Sequence, residues 1–245
     1  MIKAGYGDII GKYSALNDWK LSNLVNNEYL CQYIYDTTFD MIEKTLSTAK
    51  GLLERDEESI GALTEALIVV GIMMSFATTS RPASGSEHHL SHFFEITGIV
   101  KGKPYLPHGI DVAYSTVVTA YLRQEILKKE LPCVQYSEEK KTLENKISEL
   151  YGSVASGCIA LQEKLGTYKR DRLSIYKSNE VRIREILKEM PSAREISEML
   201  SLVGLDIKEF IDLYGKEKIE NAIYYAKDLK DRYTVLWLNY DIQEK

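Results

Sequence analysis

Hydrophobic positions recur at helical spacing along most of this 245-residue chain. In residues 28–53 the inward-facing positions fall on one stripe, at intervals of three and four: Leu30, Ile34, Tyr35, Thr38, Met41, Ile42 and Leu46. A run of this length favours an amphipathic helix over a strand. Residues 59–79 are almost uniformly apolar, so we expect a helix that is buried on most sides and ends before Pro82.

Residues 108–129 predict a further helix between Pro107 and Pro132. From residue 137 onward the chain divides into shorter amphipathic segments, at 137–165, 172–190, 192–204, 206–215, 218–229 and 232–243. Ser192 and Glu195 have the spacing of a capping box, and Gly204 is expected to end that helix. Alternating β-branched runs are nearly absent. The pattern predicts an all-α fold in one domain, 1–245, with site-bearing helices in 1–131 and packing helices in 132–245.

Charge and composition narrow the classes of function. The net charge of −5, from 31 basic and 36 acidic side chains, gives no basic field for a nucleic acid. The three cysteines are widely spaced without a CxxC motif, which is typical of reduced thiols. We see no apolar run near the roughly 20 residues of a membrane span and no signal-peptide pattern. These features predict a soluble cytoplasmic protein.

The opening segment AGYGDIIGK resembles a glycine-rich nucleotide loop only superficially. Its spacing is G-x-G-x-x-x-G, and too few residues precede Gly5 to form the strand that a dinucleotide fingerprint follows. We therefore expect the glycines to let the backbone turn sharply into a helix.

All four histidines lie within 21 residues, at positions 88, 89, 92 and 108. If Ser86 caps a helix, His88 and His92 project from one face, whereas His89 is rotated by about 100°. A pair with this spacing can hold a divalent metal. His108, at the start of a second helix, and Asp8 could complete the three protein ligands of a zinc-type site.

Each candidate also has a simpler interpretation. Asp8 could be a helix N-cap, and His108, beside proline and glycine, could be a capping or surface residue. Lys12 and Arg81 could be surface cations. The clustering of the histidines at predicted helix starts favours a site.

Four segments carry a resemblance to a known family: AGYGDIIGKYSALNDWKL, SRPASGSEHHLSHFFE, LPHGIDVA and YYAKDLKDRYTVLWL. Together, from residue 3 to about residue 240, they resemble the C-terminal half of the sn-glycerol-1-phosphate dehydrogenase family. That family is a branch of the metal-dependent polyol dehydrogenase and dehydroquinate synthase fold. The resemblance implies a multi-helix metal-binding domain, without the N-terminal domain that binds the dinucleotide.

The resemblance also assigns roles to individual residues. It implies that the metal ligands are Asp8, His88 and His108. It implies that His92 lines the substrate pocket as a catalytic proton relay. The side chains expected to contact substrate are Lys12, Arg81 and His89.

The implied reaction is the reversible, NAD(P)H-dependent reduction of dihydroxyacetone phosphate to sn-glycerol 1-phosphate with Zn²⁺ or Ni²⁺. The implied partners are a dinucleotide-binding domain and further copies of the chain. This chain alone is expected to be inactive. The alternatives are a glycerol dehydrogenase-like enzyme, a dehydroquinate synthase-like lyase, and a non-catalytic helical dimerisation scaffold with an exposed apolar face. The Ile110-Asp111 pair, after His108 and Gly109, stands where relatives often carry longer polar residues, and this departure bears only on substrate detail.

Overall fold

The computed structural model describes residues 1–243, and within that range it contains α-helices, three short 3₁₀ turns and no strand. The fold class predicted from the sequence is therefore confirmed. In chain order the helices are α1 (Ile2–Ile10), α2 (Lys12–Asn26), α3 (Gln32–Ser47), α4 (Gly51–Glu54), α5 (Glu57–Ala77), α6 (Ser86–Lys101), α7 (His108–Leu127), α8 (Lys140–Tyr151), α9 (Ala155–Leu165), α10 (Leu173–Ser178), α11 (Glu180–Lys188), α12 (Ala193–Ser201), α13 (Ile207–Tyr225) and α14 (Val235–Asp241).

The core forms around α7, which packs against α1, α6, α11, α12 and α14. Large aromatic side chains fill this core without exposure to solvent: Tyr6, Phe93, Phe94, Tyr114 and Phe210. A second layer of α3 and α5 covers the other side of α1. The first helix of the chain is therefore buried between the two layers.

The helix α1 approaches α7 at two glycines. A Cβ atom at Gly7 would lie 2.5 Å from the carbonyl oxygen of Gly109, and one at Gly109 would lie 2.2 Å from that of Ala4. Both distances are shorter than van der Waals contact, so each position requires the absence of a side chain. The expectation that the opening glycines turn the chain into a helix is wrong, because Gly5 and Gly7 lie inside α1. Close packing is what requires glycine at position 7.

The helix α5 is buried on one side only, which contradicts the expectation of burial on most sides. Ala66 and Val70 face the core, whereas Ile68 and Phe76 are 59% and 66% exposed. By length and composition this helix could also cross a membrane, so the statement that no apolar run reaches that length is wrong as well. One such helix is weak evidence for a span, since helices of soluble proteins meet the same criteria.

Several predicted boundaries hold and others shift. The Ser192 hydroxyl accepts from the Glu195 amide and the Glu195 carboxylate accepts from the Ser192 amide, which confirms the capping box. Gly204, just after α12, adopts a φ of 67°, the left-handed conformation expected of a helix-terminating glycine. Gly215, with a φ of 70°, interrupts α13 between the two segments predicted there. The segment 28–53, in contrast, forms two helices separated by a turn at 48–50.

Candidate metal centre

The start of α6 is fixed by a buried ion pair. Ser86 is the first residue of α6 and not its cap as expected; its hydroxyl contacts that of Ser14. Its amide donates to the Asp18 carboxylate at 2.6 Å, and this carboxylate also accepts from the Val235 amide and the Arg123 guanidinium, at 2.9 and 2.7 Å. Since α2, α6, α7 and α14 all meet at Asp18, the histidines of α6 start from a rigid point.

Asp8, His88 and His108 converge in space. One donor atom from each lies within 4.8 Å of the others. The distance between Nε2 of His88 and Oδ1 of Asp8 is 3.3 Å. That value matches the edge of a tetrahedron whose metal–ligand bonds are about 2.0 Å long. One carboxylate and two imidazoles are also the donor set of a catalytic zinc-type site, so these residues fit a divalent metal.

Glu87 orients the second ligand. Its carboxylate is fully buried and accepts from Nδ1 of His88 at 2.7 Å and from the Gly85 amide at 2.8 Å. Although burial opposes ionisation, these hydrogen bonds and the His88 charge lower the pKa of Glu87. A hydrogen bond at Nδ1 fixes the tautomer that leaves Nε2 free to bind a metal. Sequence reasoning missed this role, for which the acidic residue directly before His88 was the available signal.

Lys12 is buried at 2% exposure and contacts the first ligand. Its Nζ atom donates to Oδ2 of Asp8 at 2.9 Å. Burial would raise the pKa of Asp8, but the charge of Lys12, the largest opposing cause, lowers it instead. Asp8 lies within α1, so it is not a helix cap, and Lys12 is not a surface cation. The carboxylate is held ionised and ready to bind a cation.

His92 lies beside the ligands. Its ring centroid is 5.3 Å from that of His108 and 6.2 Å from that of His88. Burial lowers its pKa to about 3, with further contributions from Lys230, His88, His108 and Arg232. The imidazole is therefore neutral at physiological pH. His92 also forms a second possible metal-binding group with His108 and Glu95.

His89 and Arg81 do not belong to the three-ligand group. His89 is fully buried, and neither ring nitrogen has a hydrogen-bond partner within residues 1–243. Arg81 is 2% exposed, and its guanidinium donates to the Glu28 carboxylate, to the Ser22 hydroxyl and to the Tyr233 carbonyl. Their roles in binding substrate stay predictions.

Comparisons with known proteins identify relatives of this chain. No protein-family model matches the chain. A glycerol-1-phosphate dehydrogenase [NAD(P)+] of Halalkalibacterium halodurans is 29% identical over 238 residues, covering 97% of this chain and 52% of that protein. Proteins of the same name from Korarchaeum cryptofilum and Sulfurisphaera tokodaii are 39% and 40% identical over 121 and 123 residues, covering 49% and 50% of this chain and 38% and 34% of their own. The chain is thus related to the glycerol-1-phosphate dehydrogenase family, and it spans about half the length of the curated relatives it matches.

Proposed function

We propose that this chain is the metal- and substrate-binding half of an NAD(P)-dependent sn-glycerol-1-phosphate dehydrogenase. The observation that supports this most is the convergence of Asp8, His88 and His108, oriented by Glu87, in a chain whose relatives carry that name. The metal is Zn²⁺ or Ni²⁺. NAD(P)H binds to a dinucleotide-binding domain outside these 245 residues, so the chain alone is inactive. The protein acts in the cytoplasm, as one domain over 1–245.

Each residue of the site has a separate role in the reduction of dihydroxyacetone phosphate. When bound, the metal supplies a Lewis acid for the ketone oxygen, and the nicotinamide supplies the hydride. Lys12 keeps Asp8 ionised. Glu87 orients the imidazole of His88 through its hydrogen bond with Nδ1. The imidazole of His92, beside both histidine ligands, would relay a proton from water to the substrate oxygen.

Polyol dehydrogenases acting on unphosphorylated glycerol and dehydroquinate synthase-like lyases could use similar ligands. The names of the relatives favour the phosphorylated triose over either alternative. Self-association stays a prediction, for which the exposed apolar side chains of α5 supply a surface. Sedimentation velocity measures it directly, and a strictly monomeric species would contradict it.

Metal content is the decisive measurement. Mass spectrometry of the purified chain should find about one Zn²⁺ or Ni²⁺ per chain, as three protein ligands suffice for such a site. The His88→Ala/His108→Ala double variant should lose the ion. Glu95→Gln is the matched control, because it alters only the second possible group and should keep the ion. Absence of metal after incubation with excess ion, or retention in the double variant, would contradict the proposal.

A further inference from the structure

Two cations near the histidine cluster have no carboxylate partner within residues 1–243. Lys230 and Arg232 follow the 3₁₀ turn at Ala226–Leu229, and both are partly buried. Within residues 1–243, neither has a carboxylate oxygen within 4 Å, whereas the buried Arg81, Arg123 and Arg172 all do. Partly buried cations ordinarily require such a partner. This pair is therefore an unbalanced positive charge inside the fold.

The hydrogen bonds of the pair converge on one loop. The Lys230 ammonium donates to the Ser84 hydroxyl at 3.1 Å. Arg232 donates to the Ser84 carbonyl and the Ser80 hydroxyl, both at 3.0 Å. Its buried Nε–H has no acceptor within the described residues. These three neutral acceptors leave the charge of both side chains uncompensated and at least one donor unused.

The electrostatic surroundings of the pair are consistent with this. Burial and the neighbouring Arg232 charge lower the pKa of Lys230 to about 8, although Glu87 and Asp231 partly offset this. Burial and the charge of Arg81 likewise lower the pKa of Arg232. A ligand with two negative charges would reverse both effects.

The pair adjoins the proposed active site. Both cations donate to Ser84, and the next residue, Gly85, donates its amide to the Glu87 carboxylate that holds Nδ1 of His88. The backbone amides at the start of α6 are not available to an anion, because Gly85 donates to Glu87 and Ser86 donates to Asp18. An anion next to His92 must therefore be held by side chains.

We propose that Lys230, Arg232 and the Ser84 hydroxyl form an anion subsite that binds the phosphate of a phosphorylated substrate, whose carbonyl or hydroxyl end reaches Asp8, His88 and His108. Lysine and arginine are the side chains best suited to a phosphate dianion, and a serine hydroxyl can donate to it as well. This inference rests on the proposed function for the identity of the substrate. The phosphate contact predicted for Arg81 is thereby assigned to Lys230 and Arg232, because Arg81 already pairs with Glu28.

Calorimetric titration with inorganic phosphate tests the subsite, on the metal-free chain and on the zinc-loaded chain. Lys230→Met and Arg232→Met should each weaken phosphate binding by roughly tenfold to a hundredfold, the range for loss of a charged hydrogen bond. Arg232→Lys should recover part of the loss. Lys216→Met, which removes an exposed lysine on α13, is the matched control and should bind phosphate as the unaltered chain does.

Lys230→Met keeps the test valid if Arg232→Met fails to fold, because the Lys230 side chain makes one hydrogen bond to the described part of the chain, to a hydroxyl. Absence of phosphate binding, or equal weakening in Lys216→Met, would overturn the subsite.

The metal content of the same samples separates the two proposals. Phosphate binding without metal supports the subsite and refutes the metal site. Metal without phosphate binding supports the metal site and refutes the subsite. A further titration with sn-glycerol 1-phosphate should show tighter binding than inorganic phosphate only in the zinc-loaded chain, since only a single ligand spanning both groups gains from the metal. Equal affinities there would limit the subsite to free phosphate and overturn its place in substrate binding.

Discussion

Two polar clusters differ in how their hydrogen bonds are used: one surrounds Arg123 near the end of α7, and the other holds the histidines at the starts of α6 and α7. At Arg123 all three guanidinium nitrogens donate to protein acceptors: Nε to Asn17, Nη1 to the Thr119 carbonyl and Nη2 to Asp18 and the Ser14 carbonyl. In the histidine cluster, Nε2 of His88 faces Asp8 at 3.3 Å, and the nearby Lys230 and Arg232 lack carboxylate partners in the described part of the chain. In the Arg123 cluster the guanidinium nitrogens are bonded to protein acceptors. In the histidine cluster, side chains remain that can bind a ligand.

Burial alone therefore does not identify a functional polar residue. Arg172 repeats the pattern of Arg123, since it donates to Asp241 through Nε and Nη2, and Tyr176 donates to the same carboxylate. Both arginines are as buried as Lys12 or Glu87. What distinguishes a ligand-binding group is a donor or acceptor that the protein leaves without a matching partner.

The greatest change in the free energy of unfolding is expected in the Arg123 cluster. Asp18→Ala removes the acceptor of Arg123, Ser86 and Val235 and leaves a buried guanidinium unpaired. We expect it to lower the free energy of unfolding by about 3–5 kcal/mol, measured by urea denaturation. The exposed Asp36→Ala, which loses one hydrogen bond with Gln32, should change it by less than about 0.5 kcal/mol. Equal losses in the two variants would show that the cluster is not structural.

Glu87→Gln tests the histidine cluster with a side chain of the same size as glutamate. The amide cannot supply the charge that holds Nδ1–H of His88, so the metal affinity should fall by about 10- to 100-fold. Competition with a chromophoric chelator measures this. Glu95→Gln serves as the control and should leave the affinity unchanged. An unaltered affinity in Glu87→Gln would mean that Glu87 does not orient the ligand.

Asp111 has fewer hydrogen bonds than Asp18. It is fully buried, and within the described residues its only side-chain donor is the Tyr214 hydroxyl. Burial raises its pKa to about 8. Because the folded chain then binds a proton more tightly than the unfolded chain, whose value is about 3.9, the free energy of unfolding should fall as pH rises from about 4 to 8. The loss is at most about 1.4 kcal/mol per pH unit. Asp111→Asn should weaken that dependence in urea denaturation at pH 5 and pH 8 with a chelator present, and parallel pH profiles for the two proteins would contradict the assignment.

The smallest change in the free energy of unfolding is expected at the capping box on the surface. Ser192→Ala removes the capping box of α12 and should cost about 1 kcal/mol in urea denaturation. Ser148→Ala, which removes only an exposed hydroxyl that donates within α8, is the reference and should cost less than about 0.5 kcal/mol. If both cost the same, the cap does not contribute beyond an ordinary surface hydrogen bond.

The sequence predicted the parts of this molecule that depend on local spacing. The helical class and the capping box at Ser192 follow from periodicity and local spacing, whereas the grouping of Asp8 with His88 and His108 was implied by the family resemblance. It did not predict which side of α5 is exposed, because that depends on where α3 packs. Nor did it show that Arg81 pairs with Glu28 or that Lys230 and Arg232 do not pair, since those facts depend on contacts between distant segments.

The close contact of α1 and α7 at Gly7 and Gly109 has a consequence for the order of folding. Asp8 must cross from the start of the chain to residues 88 and 108, so its site closes only after α1 has inserted beside α7. Long-range closure of this kind is a late and slow step, and a bound ion would stabilise only the chain that has completed it. Metal would then hold α1 in place, and hydrogen exchange in α1 would slow more than in helices that carry no ligand, such as α8 and α9.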